Sequence, residues 1–146
     1  MRFDPNTLLF VDVFINDLGG VGKLNRPEGL VFGPDAKKLY VTSFRADATD
    51  TDSIRVYDAA TGAFLGKIDL DHVGDPTRAA AQALLFGPGG KLFVPVSFLP
   101  SFTGQVRRYD VVSKSFDVFV AIGLLGRPYY LSFGRTDTAS LAYPDP

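Results

Sequence analysis

The chain has 146 residues, a net charge of −1 and a pI near 5.7, so it is the size of one ordinary domain and carries no basic footprint for nucleic acid or an anionic membrane. Cysteine is absent, which excludes disulfides and thiolate metal sites. The chain is 46% hydrophobic, with 15 Gly and 10 Pro set between apolar runs; that pattern suits many short strands joined by tight turns rather than disorder.

The first element is an aromatic-Asp pair, Phe3-Asp4, followed by a turn and the apolar run Leu8 to Ile15. This run is broken by Asp12 and lacks a basic leader, so it reads as a strand and not as a signal peptide. No apolar run approaches the ~18–20 residues of a membrane-spanning helix.

Next comes RPEGLVFGPDAKKLYVTSF, Arg26 to Phe44. It reads as strand, tight turn, strand: Gly33-Pro34-Asp35 supplies the turn, because Gly tolerates positive φ and Pro fixes its own. The pair Tyr57-Asp58 follows, then the turn Ala60-Thr61-Gly62 and the run Ala63 to Leu70. The whole order then recurs. Leu84-Leu85-Phe86-Gly87-Pro88 leads to Leu92-Phe93-Val94, and Tyr109-Asp110 leads to Phe116 through Ile122; Leu131-Ser132-Phe133-Gly134 begins a third copy that runs to Leu141-Ala142-Tyr143. Asp58 and Asp110 are expected to cap the turns that follow them through their carboxylates.

Two signatures alternating at a period of ~50 residues mark an internal repeat of four strands. Strand A is expected near 28–33, 82–87 and 129–133, and strand B near 38–44, 91–98 and 139–143. Strand C is expected near 53–58 and 104–111, with a stump at 1–4, and strand D near 8–15, 63–70 and 115–122. The chain divides as 1–26 (partial), 27–74, 75–126 and 127–146 (partial). The fold class is therefore all-β, a β-propeller of four-stranded antiparallel blades with about three blade equivalents per chain. Pro95 falls inside a strand B and is expected at a β-bulge. Thr77 to Leu85, TRAAAQALL, has helix propensity, and a helical turn near 75–81 is expected before the strand begins.

The segments RPEGLVFGPDAKKLYVTSF, SIRVYDAATGAFLGKI, LLFGPGGKLFVPVSF and GQVRRYDVVSKSFDVFV resemble the NHL-type and streptogramin-lyase-like β-propellers. That resemblance implies a repeat protein of the kind found in bacterial exported or surface proteins, and it leaves activity open. The lyases of that group use a histidine-based site with a divalent metal, whereas this chain has a single histidine, His72.

Three places carry candidate chemistry, all in loops or strand ends expected on one face of the sheets. Glu28, Gln82 and Tyr129 match at the start of the three strands A, with Arg26 and Arg127 beside them; together they would surround a channel mouth and form the default ligand site. The B–C loop RADATDTD concentrates Asp47, Asp50 and Asp52, which suits Ca²⁺ or another divalent metal, but it lacks EF-hand spacing, and a solvated acidic loop is the favoured reading. The loop DLDHVGDPTR places His72 beside Asp71 and Asp75, the residue types of a base with a carboxylate orienter, though a solvent-exposed loop histidine is the favoured reading. Arg107-Arg108 reads as a solvated basic pair.

The reading favoured by these features is a non-enzymatic binding or scaffold module without a cofactor, recognising a protein or a carbohydrate-like ligand. Three blade equivalents fall short of a ring, so a homodimer of six blades is the expected assembly, with a piece of a longer propeller as the competing explanation. A metal-assisted lyase or lactone hydrolase using Glu28 and the Asp47–Asp52 loop is the alternative.

Overall fold

The computed structural model describes residues 1–15 and 23–132. Their regular structure is eleven β-strands and one 3₁₀ turn, Pro88–Gly90, with no α-helix among the described residues. The strands are β1 (Arg2–Phe3), β2 (Phe10–Asp12), β3 (Leu30–Phe32), β4 (Lys38–Ser43), β5 (Ser53–Asp58), β6 (Phe64–Asp69), β7 (Arg78–Ala81), β8 (Leu85–Phe86), β9 (Leu92–Leu99), β10 (Thr103–Tyr109) and β11 (Phe116–Leu125).

They form three antiparallel sheets. β1 pairs with β2; β3-β4-β5-β6 is a four-stranded meander; β7-β9-β10-β11 is a second four-strand path, with β8 also paired to β9. The all-β expectation holds. The meander matches the A-B-C-D order of the repeat, and β9, β10 and β11 are the second B, C and D. The third A–B hairpin falls mostly on 133–146, outside the described residues, while 129–132 carry no strand.

The turns repeat atom for atom. Asp4, Asp58 and Asp110 each accept two backbone N–H groups, from residues two and three further on, at 2.7–3.0 Å. Each also closes its hairpin by donating its own N–H to the carbonyl five residues on, at 2.8–2.9 Å. The residue four after each Asp is left-handed: Leu8 (φ 59°), Gly62 (φ 74°) and Lys114 (φ 60°). Only one of the three is glycine, so the other two bear the steric cost of a Cβ.

The second strand A departs from expectation. Residues 78–81, expected as a helical turn, are strand β7, paired with β9 from Arg78↔Leu99 to Ala81↔Val96. Helix propensity loses to pairing here because alternate alanines let the sheets approach: Ala79 and Ala81 are in the core, only 2% and 4% exposed. Pairing resumes only at Leu85↔Phe93. Residues 82–84 thus oppose Val94 and Pro95, and the irregularity lies in the inner strand. The β9–β10 register runs unbroken through Val106↔Pro95, so the expected bulge is on Pro95's neighbour and not on its own strand. The cause is the missing donor. Thr42 holds the register of Pro95 in the first meander and donates its N–H to the Gly29 carbonyl of the inner strand at 2.9 Å; Pro95 has none to give, and the inner strand breaks beside it.

The main core lies between the two larger sheets. Tyr40, Ile54, Ile68 and Leu70 from one side meet Leu84, Phe86, Leu92, Val94, Val96 and Tyr109 from the other, and the Tyr40 and Phe86 rings meet edge to face at 5.1 Å. Burial of each large apolar side chain contributes about 1.5–3 kcal/mol. A smaller cluster of Leu39, Val41 and Tyr57 packs against Phe14, Ile15, Leu24 and Phe64, so the meander is covered on both faces.

The shared turn geometry makes a prediction. Leu8→Gly and Lys114→Gly should each stabilise the protein by about 0.5–1 kcal/mol in chemical denaturation, since they relieve a left-handed Cβ at modest entropic cost. Gly62→Ala should destabilise it by more, because the added Cβ would sit 2.3 Å from the Phe14 carbonyl oxygen. Equal effects of all three changes would contradict the assignment.

Candidate functional site

The loops between the two large sheets are tied by a buried charge cluster. Asp52, 1% exposed, accepts both Nε (3.0 Å) and Nη2 (2.6 Å) of Arg78 and the backbone N–H of Arg45 (2.9 Å). Asp71 accepts the N–H of Asp52 at 2.8 Å and that of Ala79 at 3.2 Å. The two carboxyls therefore sit together, one gripped by a guanidinium and the other not. Burial opposes ionisation of Asp52, but the Arg78 fork and the Arg45 N–H outweigh it and hold this carboxyl below its usual range. Burial, reinforced by the neighbouring Asp52 charge and only partly opposed by the Ala79 N–H, pushes Asp71 up to about 6.

The acidic B–C loop does not gather its carboxylates. Asp47 caps its own turn through the N–H and hydroxyl of Thr49. Asp50 pairs with Arg55 at 3.3 Å and lies 4.0 Å from Lys67. Asp52 points inward to Arg78. Among the described residues no three acidic or histidine side chains are grouped to share a metal ion. The three aspartates are thus engaged separately, each by the chain itself.

Of the residues expected at a channel mouth, Arg26, Gln82 and Arg127 line one small hollow of about 80 Å³, together with Arg78, Phe44, Ala80, Ser97 and Leu99. Glu28 stands beside it, paired with Arg26 at 3.3 Å. Tyr129 takes the Arg127 guanidinium over its ring at 5.0 Å, and Phe102 does the same at 5.2 Å. The hollow is dominated by cations. Phe44 is approached by two of them, Arg26 at 5.1 Å and Arg78 at 5.5 Å, and Arg127 has no carboxylate partner among the described residues. Arg26 also adopts a left-handed backbone, φ 49°, a conformation that costs energy outside glycine and is often found at binding sites.

A second, larger cavity of about 260 Å³ opens beside the inter-sheet core. It is lined by Asp69, Leu70, Asp71, His72, Asp75, Thr77, Ala79, Phe98, Arg107 and Phe116. The His72 loop therefore does border a cavity, with Asp71 and Asp75 in the same wall. Arg107 is buried here, 8% exposed, which corrects its reading as a solvated residue. A signal was present: Arg-x-Tyr-Asp recurs at 55–58 and 107–110, and strand alternation puts each Arg on the face of its buried Tyr. Arg108 lies on the other face, paired with Asp117 at 2.7 Å. Arg78, central to the charge cluster, had no such signal, because its segment read as helical.

No protein-family profile and no curated protein matches the chain. No helix among the described residues is long and apolar enough to cross a membrane.

The Asp71 carboxyl gives a pH dependence with a definite sign. Its folded value, about 6, lies above the ordinary 3.8, so the folded state binds the extra proton and stability falls as pH rises from 3.8 through 6. Urea denaturation should show a loss of about 1 kcal/mol between pH 5 and pH 7.5 from this group, and Asp71→Asn should flatten that slope. An unchanged slope in the variant would reject the assignment. Asp52→Asn, which leaves Arg78 without its counter-charge, should cost about 3 kcal/mol.

Proposed function

We propose that the chain is a non-enzymatic binding module of the β-propeller type, with its ligand site at the arginine-lined hollow. The observation that carries this reading is the meeting of Arg26, Arg78 and Arg127 with Gln82 and Ser97 around one small concavity. Guanidinium groups are planar, permanently charged and suited to bidentate recognition of carboxylate or sulfate. Among the described residues the Arg127 charge is answered only by ring faces, Phe102 and Tyr129, which leaves it suited to an anionic group of a protein or carbohydrate-like ligand. The hollow is too small for a whole ligand; it suits one acidic substituent of a larger molecule lying across the loop face.

The assembly we propose is a six-bladed ring of two chains. The meander β3-β4-β5-β6 supplies the four-stranded unit, and the β1-β2 sheet is half of one. β1 pairs only with β2 among the described residues, and a free strand edge favours pairing with another chain. The resemblance of the repeats to NHL-type propellers supports the same arrangement.

Two measurements test the proposal. Light scattering should give a mass of twice 15.8 kDa; a strict monomer at high concentration sinks the two-chain ring. Binding of an acidic oligosaccharide or an acidic peptide should weaken as salt rises, and Arg127→Ala should reduce it by about tenfold. Binding that is indifferent to both would remove the arginine hollow as the site.

A further inference from the structure

Arg55 and Arg107 hold the same place in the repeat, opposite Val41 and Val94 in the register of their sheets. Both are buried, and in both the Nε has no hydrogen-bond partner among the described residues. Of the two, only Arg55 has an ion-pair partner among the described residues. Asp50, five residues upstream, pairs with it at 3.3 Å. Five residues upstream of Arg107 stands Phe102.

Arg107 is held by other groups. Its Nη1 donates to the Leu70 carbonyl at 2.6 Å and to the Tyr109 hydroxyl at 3.3 Å. The ring of Phe116 lies 4.5 Å from the guanidinium carbon and that of Phe98 5.5 Å. A carbonyl, a hydroxyl and two ring faces soften a buried cation without neutralising it, and a buried charge with no opposite charge is costly. Arg107 instead borders the cavity of about 260 Å³.

The rest of the lining narrows what would fit. Phe98, Phe116, Leu70 and Ala79 offer apolar walls. Asp69, Asp71 and Asp75 make a bare anion unwelcome. Asp69 is already bound by Lys67 at 2.7 Å and by the Thr51 hydroxyl, and Asp71 belongs to the Asp52 cluster. The Asp75 carboxylate accepts the backbone N–H of His72 at 3.0 Å and forms no ion pair among the described residues, while the Arg45 guanidinium is bound to the Asp75 main-chain carbonyl at 2.9 Å.

We propose that this cavity is a second ligand site, for a small apolar amino acid or a zwitterion like it. The carboxylate supplies Arg107 with the charge that Asp50 supplies to Arg55, the ammonium meets Asp75, and the apolar body lies between Phe98 and Phe116. The volume is just below the usual range for drug-sized ligands, which suits a molecule of this size. The site shares no lining residue with the arginine hollow and does not depend on it.

The experiment uses the full chain and three probes of one shape: L-leucine, L-leucinamide, which lacks the carboxylate, and 4-methylpentanoate, which lacks the ammonium. Calorimetry should show leucine binding and raising the melting temperature, with leucinamide and 4-methylpentanoate each bound at least about tenfold more weakly. Asp75→Asn should weaken leucine and leave 4-methylpentanoate unchanged or tighter. Arg107→Lys, checked for folding, should weaken every probe that carries a carboxylate. No heat and no thermal shift with leucine at about 10 mM overturns the site. Leucinamide binding as tightly as leucine overturns the role of Arg107, and 4-methylpentanoate binding as tightly overturns the zwitterion. The three probes act on the unaltered protein, so the conclusion does not hang on the Arg107 variant folding.

Discussion

The union of Asp52 with Arg78 is the interaction on which the arrangement of the two large sheets depends. Asp52 immediately precedes the strand β5 of one sheet and Arg78 opens β7 of the other, so the ion pair crosses the junction. Asp71 doubles the link by taking N–H groups from both sides, Asp52 and Ala79. The backbone is bound in as well, since Leu70 donates to the Asp52 carbonyl at 2.8 Å. A hydrophobic seam alone is non-directional and would let the sheets slide. The fork of a guanidinium on a carboxylate fixes position and orientation together, and it fixes them at the end of the seam where the loops gather.

Both cavities follow from that fixed junction. Residues of β7 and β9 alternate between them: Arg78, Ala80, Ser97 and Leu99 face the arginine hollow, while Ala79 and Phe98 face the larger cavity. One pair of strands thus divides two chemically different spaces, as the period of two in a strand requires. The Leu70 carbonyl, held in place by the Asp52 cluster, is also the acceptor that positions Arg107. The charge cluster and the second cavity are therefore mechanically one unit.

Most of the fold was legible because it rests on local rules repeated several times. An Asp after an aromatic caps its turn the same way at 4, 58 and 110. The alternating runs located β4, β5, β6, β9, β10 and β11 to within a few residues. What was not legible lay in tertiary competition. Arg78–Ala81 has a helical composition and became a strand because β9 offered a partner and the core had room only for alanine. Pro95 announced an irregularity, but whether it would fall on its own strand or the next depends on which side needed its N–H. Of the matching residues Glu28, Gln82 and Tyr129 and their neighbours Arg26 and Arg127, the hollow brings together Gln82 and the two arginines. Asp47, Asp50 and Asp52 were grouped by sequence alone, and closeness in a loop says nothing about the direction in which each carboxylate turns.

The repeat is most informative where its copies disagree. A left-handed Leu8 or Lys114 in place of Gly62 shows a scaffold tolerating drift at exposed turns, where the cost is small and nothing depends on it. Loss of a buried counter-charge is a different matter, because the penalty falls in the core. Arg55 keeps Asp50; Arg107 keeps its burial, its strand and its tyrosine and loses only the acid. If Arg107 were needed only for packing, exchange for a neutral residue would relieve the cost at once. A cation buried without an ion pair, beside a cavity, is the observation from which the second site is proposed.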